Sequence, residues 1–251
     1  MNTDTVIRFE GVVKSFGPKT VLAGASFEVR RGEMVAILGA SGTGKSVTLK
    51  HVNGLLQPEA GAVETLGYRV SEMDERALLP VRTRVAYLFQ GGALFDSMTV
   101  FDNVAFPLRE HRAVEPAELA GRVERLLELV ELPGTETLYP AELSGGMRKR
   151  VALARALALE PEIVLYDEPT TGLDPVTGRT IAALMRDLHE RLGVTSLVVT
   201  HDIPLVRAVA SRVLFLSNGR FVFSGTVEEA AAGNAPREVR EFFVEPGGDH
   251  A

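Results

Sequence analysis

The sequence predicts an α/β fold: a mixed sheet with a β-rich N-terminal part and a helical insert between two of its strands. Three observations carry this. Short apolar runs at Met34–Leu38, Val85–Phe89, Ile163–Tyr166 and Ser196–Thr200 read as buried strands, and a run apolar throughout suits a strand covered on both faces. A complete glycine-rich motif joins the first of these runs to a helix-capable segment. Between the second and third runs, from Gly91 to about Leu159, the pattern turns helical.

Length and composition bound what such a fold can do. The 251 residues accommodate one large α/β domain, or one carrying a helical insert. The net charge of −6 argues against a dedicated nucleic-acid binder, which more often carries a basic excess. The absence of cysteine excludes disulfides, thiolate metal sites and cysteine nucleophiles. The opening Met1–Thr5 lacks the basic and apolar regions of a secretory signal, and no apolar run approaches the length of a membrane span. A membrane role would therefore come through a partner.

In chain order, Val6–Val13 and Ala25–Val29 read as strands, with a turn at Arg31–Glu33 before the buried run Met34–Leu38. Gly39-Ala40-Ser41-Gly42-Thr43-Gly44-Lys45-Ser46 then matches G-x-x-x-x-G-K-[ST] in full, with a strand before it and Val47–Val52 able to form a helix after it. Glycines let such a backbone curl so that its N–H groups point inward at phosphate oxygens, and the helix N-terminus adds partial positive charge. Lys45 would meet the β- and γ-phosphates, and Ser46 would offer its hydroxyl to Mg²⁺. Phe16, ahead of the loop, is either packed in the core or stacked on a base. His51 reads as a packed or surface residue. Residues 58–90 carry strand and turn signals, punctuated by Gly61, Gly67 and Pro80 and ending in Gln90, whose neutral amide could hold a metal or a water.

In the helical block, Pro116 opens a segment with Leu119, Val123, Leu126, Leu127 and Val130 on one face, closed by Pro133-Gly134. Gly92–Phe95 forms an apolar patch beside Gln90, either core or a partner surface. Arg148, Lys149, Arg150 and Arg155 read as a solvated helix face rather than a nucleic-acid contact. Ser144-Gly145-Gly146 opens the helix Met147–Ala158, with Ser144 as N-cap and two glycines that permit close backbone approach. That makes a second anion site, and one chain needs only one γ-phosphate site. It would therefore face the nucleotide of another subunit.

The strand Ile163–Tyr166 ends in Asp167 and Glu168. Two adjacent carboxylates at the carboxyl end of a buried strand are costly to place there, and that edge is where ligands sit in α/β sheets. One carboxylate suits a metal and the other a water. Thr171–Pro175 is a turn before a helix over Thr177–Leu192. His201, at the end of the run Ser196–Thr200, could hold a γ-phosphate and the attacking water. Asn218-Gly219, between Val213–Leu216 and Arg220–Phe223, marks a hairpin. The tail from Gly233 is interrupted by Gly and Pro, with Arg240–Phe243 as its one anchor candidate.

Taken together, GASGTGKS, Gln90, LSGGM, IVLYDE, GLDP and His201 resemble, in order and spacing, the ATP-binding-cassette ATPases, and the likeness covers nearly the whole chain. It implies a P-loop NTPase core with a mixed sheet, an N-terminal antiparallel β subdomain and a helical insert. As a single domain over 1–251, this divides into a RecA-like core with the β subdomain (1–90 and 160–232), a helical subdomain (91–159) and a tail (233–251). It also implies ATP and Mg²⁺ as ligands and a head-to-tail homodimer with two ATPs sandwiched at the interface. By position, Phe16 matches the adenine-stacking aromatic, where Tyr is common. Gly39, Ser41, Gly42, Thr43, Gly44, Lys45 and Ser46 match the phosphate loop. Gln90 matches the mobile Mg²⁺ and coupling glutamine, Asp167 the Mg²⁺ carboxylate, Glu168 the general base and His201 the switch histidine. Ser144, Gly145 and Gly146 match the signature that binds the partner's γ-phosphate, and Asp174 the inter-subunit loop.

Within that family, Phe89–Glu110 (FQGGALFDSMTVFDNVAFPLRE) together with YDEPTTGLDPVT resembles the ATPases of Mla- and Mce-type lipid transporters. Solute importers more often carry a proline near Asp96–Met98. This narrower likeness implies phospholipid movement between membranes of a Gram-negative envelope. It also implies an integral membrane permease, a lipid-binding MCE-domain protein, and a place at the cytoplasmic face of the inner membrane through the permease. The alternatives are the motor of a solute importer and a soluble cassette ATPase acting on DNA or ribosomes. The latter more often has two cassettes in one chain, a long coiled-coil insert or a basic excess, and this sequence has none of these.

Overall fold

The computed structural model describes residues 4–233 and 235–243. The first three residues and the tail beyond Phe243 lie outside the described residues.

The chain begins with two long antiparallel strands, β1 (Thr5–Phe16) and β2 (Lys19–Arg30), and β4 (Ala60–Thr65) pairs on the other side of β1. This three-stranded antiparallel sheet packs beside a six-stranded one. The larger sheet is built from β3 (Met34–Leu38), β5 (Val85–Leu88), β6 (Ile163–Asp167), β7 (Thr195–Val199), β8 (Arg212–Ser217) and β9 (Arg220–Gly225). Its order is β5-β6-β7-β3-β8-β9, parallel except for the antiparallel hairpin β8–β9. The predicted α/β fold class, with its mixed sheet and antiparallel N-terminal sheet, is the observed one.

The helices are α1 (Lys45–Val52), α2 (Glu75–Arg82), α3 (Val100–Glu110), α4 (Leu119–Leu129), α5 (Gly145–Leu157), α6 (Pro175–Leu192), α7 (Ile203–Val209), α8 (Val227–Ala231) and α9 (Arg237–Phe243). The apolar runs are explained by what lies on each face of the sheet. From β6, Val164 and Tyr166 join a core with α3, α4, α5 and α6, while Ile163 and Leu165 join one with the antiparallel sheet and α1. From β3, Ala36 and Leu38 enter a third cluster with α7, α8 and α9. A strand covered on both faces leaves little room for charged side chains until it ends, so the charged chemistry collects at the strand ends.

Three readings need correction. Residues 58–90 were expected to hold strands and turns, but Glu75–Arg82 is a helix despite Pro80. Asp74 caps it by accepting from the Ala77 amide at 2.8 Å, and buried Leu78 and Val81 pin one face. Eight residues are few enough for one missing N–H to be tolerated. The basic run of α5 is a solvated face only in part: Arg148 is exposed, but the four side chains are also tied to loop carbonyls. Lys149 is buried, and Arg148, Lys149, Arg150 and Arg155 donate to the carbonyls of Leu143, Gln90, Val130, and Gly92 and Ala93, respectively. Helical spacing spread these charges around α5, and each met a loop end whose carbonyls needed a donor. Gly145 is already helical, so α5 starts two residues earlier than expected, with Ser144 as its N-cap accepting from Met147 at 3.2 Å. His51 is packed: it is 1% exposed, its Nδ1 lies 2.7 Å from the Val47 carbonyl, and its ring sits edge-on to Phe9.

Candidate functional site

The parallel strands deliver their carboxyl ends to one edge of the sheet. From β3 comes the loop 39–44, from β5 Gln90, from β6 Asp167 and Glu168, and from β7 Thr200 and His201. A cavity of about 590 Å³ opens there, lined among others by Phe16, Gly39–Gly42, Lys45, Ser46, Gln90, Glu168 and His201. Residues as far apart in sequence as Gly39 and His201 thus share one cavity because β3 and β7 are neighbours in the sheet.

The loop is held by close packing that glycine alone permits. A Cβ on Gly39 (φ +151°) would lie 2.4 Å from the Leu216 carbonyl oxygen, and one on Gly44 (φ +107°) 2.7 Å from Val21 Cγ1. Lys45 curls back and donates to the carbonyls of Gly39 at 2.9 Å and Ala40 at 3.1 Å. Burial pulls its pKa below the ordinary lysine value, while the carboxylates of Glu168 and Asp167 pull it back up. A buried ammonium facing its own loop is placed to exchange those carbonyls for anionic oxygens. The Thr43 hydroxyl donates to the Ala40 carbonyl at 2.9 Å, and Thr43 is not among the cavity-lining residues.

Asp167 is 7% exposed and lies behind the cavity wall. Ser46 donates to its Oδ1 at 2.7 Å and Tyr87 to its Oδ2 at 2.9 Å. Burial, then the adjacent Asp167 charge, raises the Tyr87 pKa far above the ordinary phenol, so it stays a donor. The Ser46 hydroxyl and the Asp167 carboxylate are hard oxygen donors side by side. Among the described residues no group of three or more His, Cys, Asp or Glu could enclose an ion. Most of a coordination sphere would therefore come from phosphate oxygens and water, the ligand set that suits Mg²⁺. The residues present fit that ion.

Glu168 follows with φ +50°, in the left-handed region that non-glycine residues rarely adopt. Its amide donates to the Val199 carbonyl at 2.9 Å, tying the strained residue to the end of β7. Its carboxylate lies 3.0 Å from His201 Nδ1 and accepts from the Thr171 hydroxyl at 3.1 Å. His201 is exposed, with 63% of its side chain accessible, while the Glu168 side chain is 13% accessible. The pair places a carboxylate and an imidazole at the mouth of the cavity. Gln90 is exposed there too, and its carbonyl is tied to Lys149 of α5.

Ser144, Gly145, Gly146 and Asp174 are not among the residues lining this cavity. They lie near one another instead. A Cβ on Gly145 would touch Leu173 at 3.2 Å and one on Gly146 would meet Thr177 at 2.6 Å, so the turn that opens α5 packs on the turn that opens α6. Asp174 caps α6, accepting from the amides of Val176 and Thr177 at 3.0 and 3.1 Å. Phe16, which could have been core, is 48% exposed and lines the cavity.

Sequence reasoning missed Tyr87, Lys149 and Phe242 as neighbours of this site. In the sequence the first two are a strand and a helix-face residue, and Phe242 is part of an anchor candidate. Tyr87 carried one legible signal, a hydroxyl inside an otherwise apolar run, because a buried phenol needs an acceptor.

Comparison with known proteins places these features in context. The family model described as ABC transporter matches residues 22–171. The intermembrane phospholipid transport system ATP-binding protein MlaF of Escherichia coli K12 is 42% identical over 227 residues, covering 90% of this chain and 84% of that protein. The Mycobacterium leprae protein named "Probable ribonucleotide transport ATP-binding protein mkl" is 41% identical, covering 97% and 70%. The methionine import ATP-binding protein MetN of Brucella abortus is also 41% identical, covering 88% and 60%. Among solved structures, a dimeric ATP-binding cassette in a post-hydrolysis state with ADP and Pi matches with TM-score 0.80 and 33% identity, over 88% of this chain and 98% of that one. A cassette of a Clostridium perfringens ABC transporter complex matches with TM-score 0.84 and 27% identity, over 96% and 100%.

Proposed function

Because the chain belongs to the ABC transporter family and is an ATP-binding ATPase, we propose that it is the motor subunit of a membrane transporter, working as a head-to-tail homodimer with ATP between the subunits. The observation that carries the reading is the convergence of Lys45, Ser46, Glu168 and His201 on one cavity, with Asp167 bonded to Ser46 behind it.

In this reading Phe16 stacks on the base, and the loop from Gly39 to Ser46, Thr43 included, receives the phosphates through its N–H groups. Lys45 leaves its own carbonyls for the β- and γ-phosphates and opposes the charge that builds on them. Ser46, Asp167 and Gln90 would hold Mg²⁺, which when bound supplies charge neutralisation at the phosphates. Glu168 orients a water and takes its proton as the water oxygen bonds to the γ-phosphorus and the bond to the β-phosphate oxygen breaks. ADP and phosphate result, and His201 holds the γ-phosphate in line. The Glu168–His201 contact keeps both groups at the cavity mouth before nucleotide enters. Ser144, Gly145, Gly146 and Asp174 serve the ATP of the other subunit, which fits their position outside this chain's own cavity. Hydrolysis removes the phosphate shared between subunits, so the dimer opens.

The cargo is phospholipid, moved between membranes of a Gram-negative envelope by this motor with an integral membrane permease and an MCE-domain protein. Support comes from Phe89–Glu110 and from the match to MlaF, which extends over more of that protein's length than the match to the methionine importer does. No described helix is long and apolar enough to cross a membrane, so attachment at the cytoplasmic face of the inner membrane runs through the permease. Co-purification in mild detergent tests this: a solute permease with no lipid-binding partner would sink the cargo reading and leave the ATPase untouched.

The catalytic assignment is tested with Glu168→Gln. The variant is expected to bind ATP with unchanged affinity, to release phosphate about 10²–10⁴-fold more slowly, and to accumulate as an ATP-dependent dimer on light scattering. Phosphate release at the parental rate would reject the assignment.

A further inference from the structure

The phosphate end of the cavity is charged, but its wall also includes Phe16, Val21 and Phe242. Phe242 comes from α9, near the other end of the chain, and α9 is fastened beside the phosphate loop by several contacts. Val239 and Phe243 are buried with Leu38 and Phe215. The Phe242 ring meets Phe215 edge-on, with centroids 5.3 Å apart at 80°. The Ser217 hydroxyl donates to Glu238 at 2.6 Å, which ties α9 to the last residue of β8. Its neighbour Leu216 is the residue whose carbonyl lies against Gly39. The half-buried Phe242 ring is therefore held next to the loop by a stiff connection through β8.

Two aromatic rings, one from β1 and one from α9, thus line the same cavity as Lys45, Ser46, Glu168 and His201. A nucleotide whose phosphates meet Lys45 and Ser46 leaves a flat π-faced base for the aromatic lining. We propose that Phe242 is a second base-contacting residue, which with Phe16 encloses the purine, so that α9 sets nucleotide affinity. The proposal rests on the reading that Phe16 meets the base. Each base–aromatic contact is worth on the order of a tenfold change in affinity on truncation.

The test is equilibrium binding of Mg-ATP and of magnesium tripolyphosphate, which has no base, to the full chain. Phe242→Leu, which keeps an apolar side chain against Phe215, is expected to weaken ATP roughly tenfold, leave tripolyphosphate unchanged and show an unaltered thermal midpoint. Phe242→Trp is expected to restore ATP affinity. If Phe242→Ala also lowers the thermal midpoint, the Leu variant carries the test. Parental ATP affinity in a folded Phe242→Leu protein overturns the proposal. Equal weakening of ATP and tripolyphosphate overturns it too, because α9 would then act on the loop rather than the base. Phe16→Ala, measured alongside, tests the underlying reading: ATP affinity unchanged there but weakened by Phe242→Leu would remove Phe16 from the base site and leave Phe242 in it.

Discussion

Asp167 shows how single residues are prepared for a task. A carboxylate 7% exposed would be costly alone, and here it is stabilised by two hydroxyl donors, Ser46 and Tyr87, one on each oxygen. Ser46 comes from the helix after the phosphate loop and Tyr87 from the neighbouring strand, so the carboxylate is aimed from two directions. Tyr87→Phe keeps the ring and its stack on Phe89 at 4.2 Å but removes one donor. The expected result is a loss of about 1.5–3 kcal/mol in urea unfolding of the nucleotide-free protein, read as a lower midpoint at constant slope. An unchanged midpoint would mean that Asp167 finds water or another donor in place of the phenol.

Among the elements, the segment between β5 and α3 depends most on one residue. Asn103 is fully buried and organises the turn before its own helix. Its Nδ2, with two hydrogens to share, lies 3.1, 3.2 and 3.0 Å from the carbonyls of Phe95, Met98 and Thr99, and its Oδ1 accepts from the Phe95 amide at 2.8 Å. Arg155 of α5 closes the same segment from the other side through Gly92 and Ala93, and its guanidinium lies over the Phe95 ring at 5.5 Å. Phe95 packs on Phe106 at 5.0 Å yet stays 41% exposed, so an aromatic surface is displayed on a rigidly held turn just after Gln90. Asn103→Ala strands several half-buried backbone groups and is expected to cost about 2–3 kcal/mol. Hydrogen exchange would show the change as faster exchange confined to residues 91–99. Uniformly faster exchange over the whole chain would mean that the turn has no separate stability.

For the whole molecule, the edge of the sheet opposite the cavity has its own fastening. Glu162, just before β6, accepts from Arg84 before β5 and from Arg31, the turn residue between β2 and β3, so one carboxylate links both sheets. These hydrogen bonds, Arg84's the stronger, hold its pKa below the ordinary glutamate value of 4.5. A carboxylate with a depressed folded pKa adds stability that is fully present above its unfolded pKa. That stability is lost as pH falls through the folded value. The partners are partly exposed, so the contribution is about 1 kcal/mol. Glu162→Gln is therefore expected to lower stability at pH 7 by about that amount, with the difference shrinking as pH drops below 4.5. Parallel stability–pH curves for the two proteins would contradict this.

What the sequence by itself determined was whatever depends on local pattern. The phosphate loop, the carboxylate pair after an apolar run, the N-cap serine before two glycines and the hairpin at Asn218-Gly219 are all short-range features. Backbone geometry and burial leave few other residues able to occupy such positions. The fold class followed, because runs apolar on both faces demand a sheet covered on both sides. Tertiary structure decided whatever depends on which distant segments meet. Periodicity put Arg148, Lys149, Arg150 and Arg155 on a helix but could not show that loop carbonyls surround it. The apolar run of β5 marked Tyr87 as a strand residue but not as the donor to a carboxylate 80 positions away. Nor could any local pattern show that α9 brings Phe242 to the cavity wall. Strand order sets those neighbours, and strand order is fixed by how the layers pack.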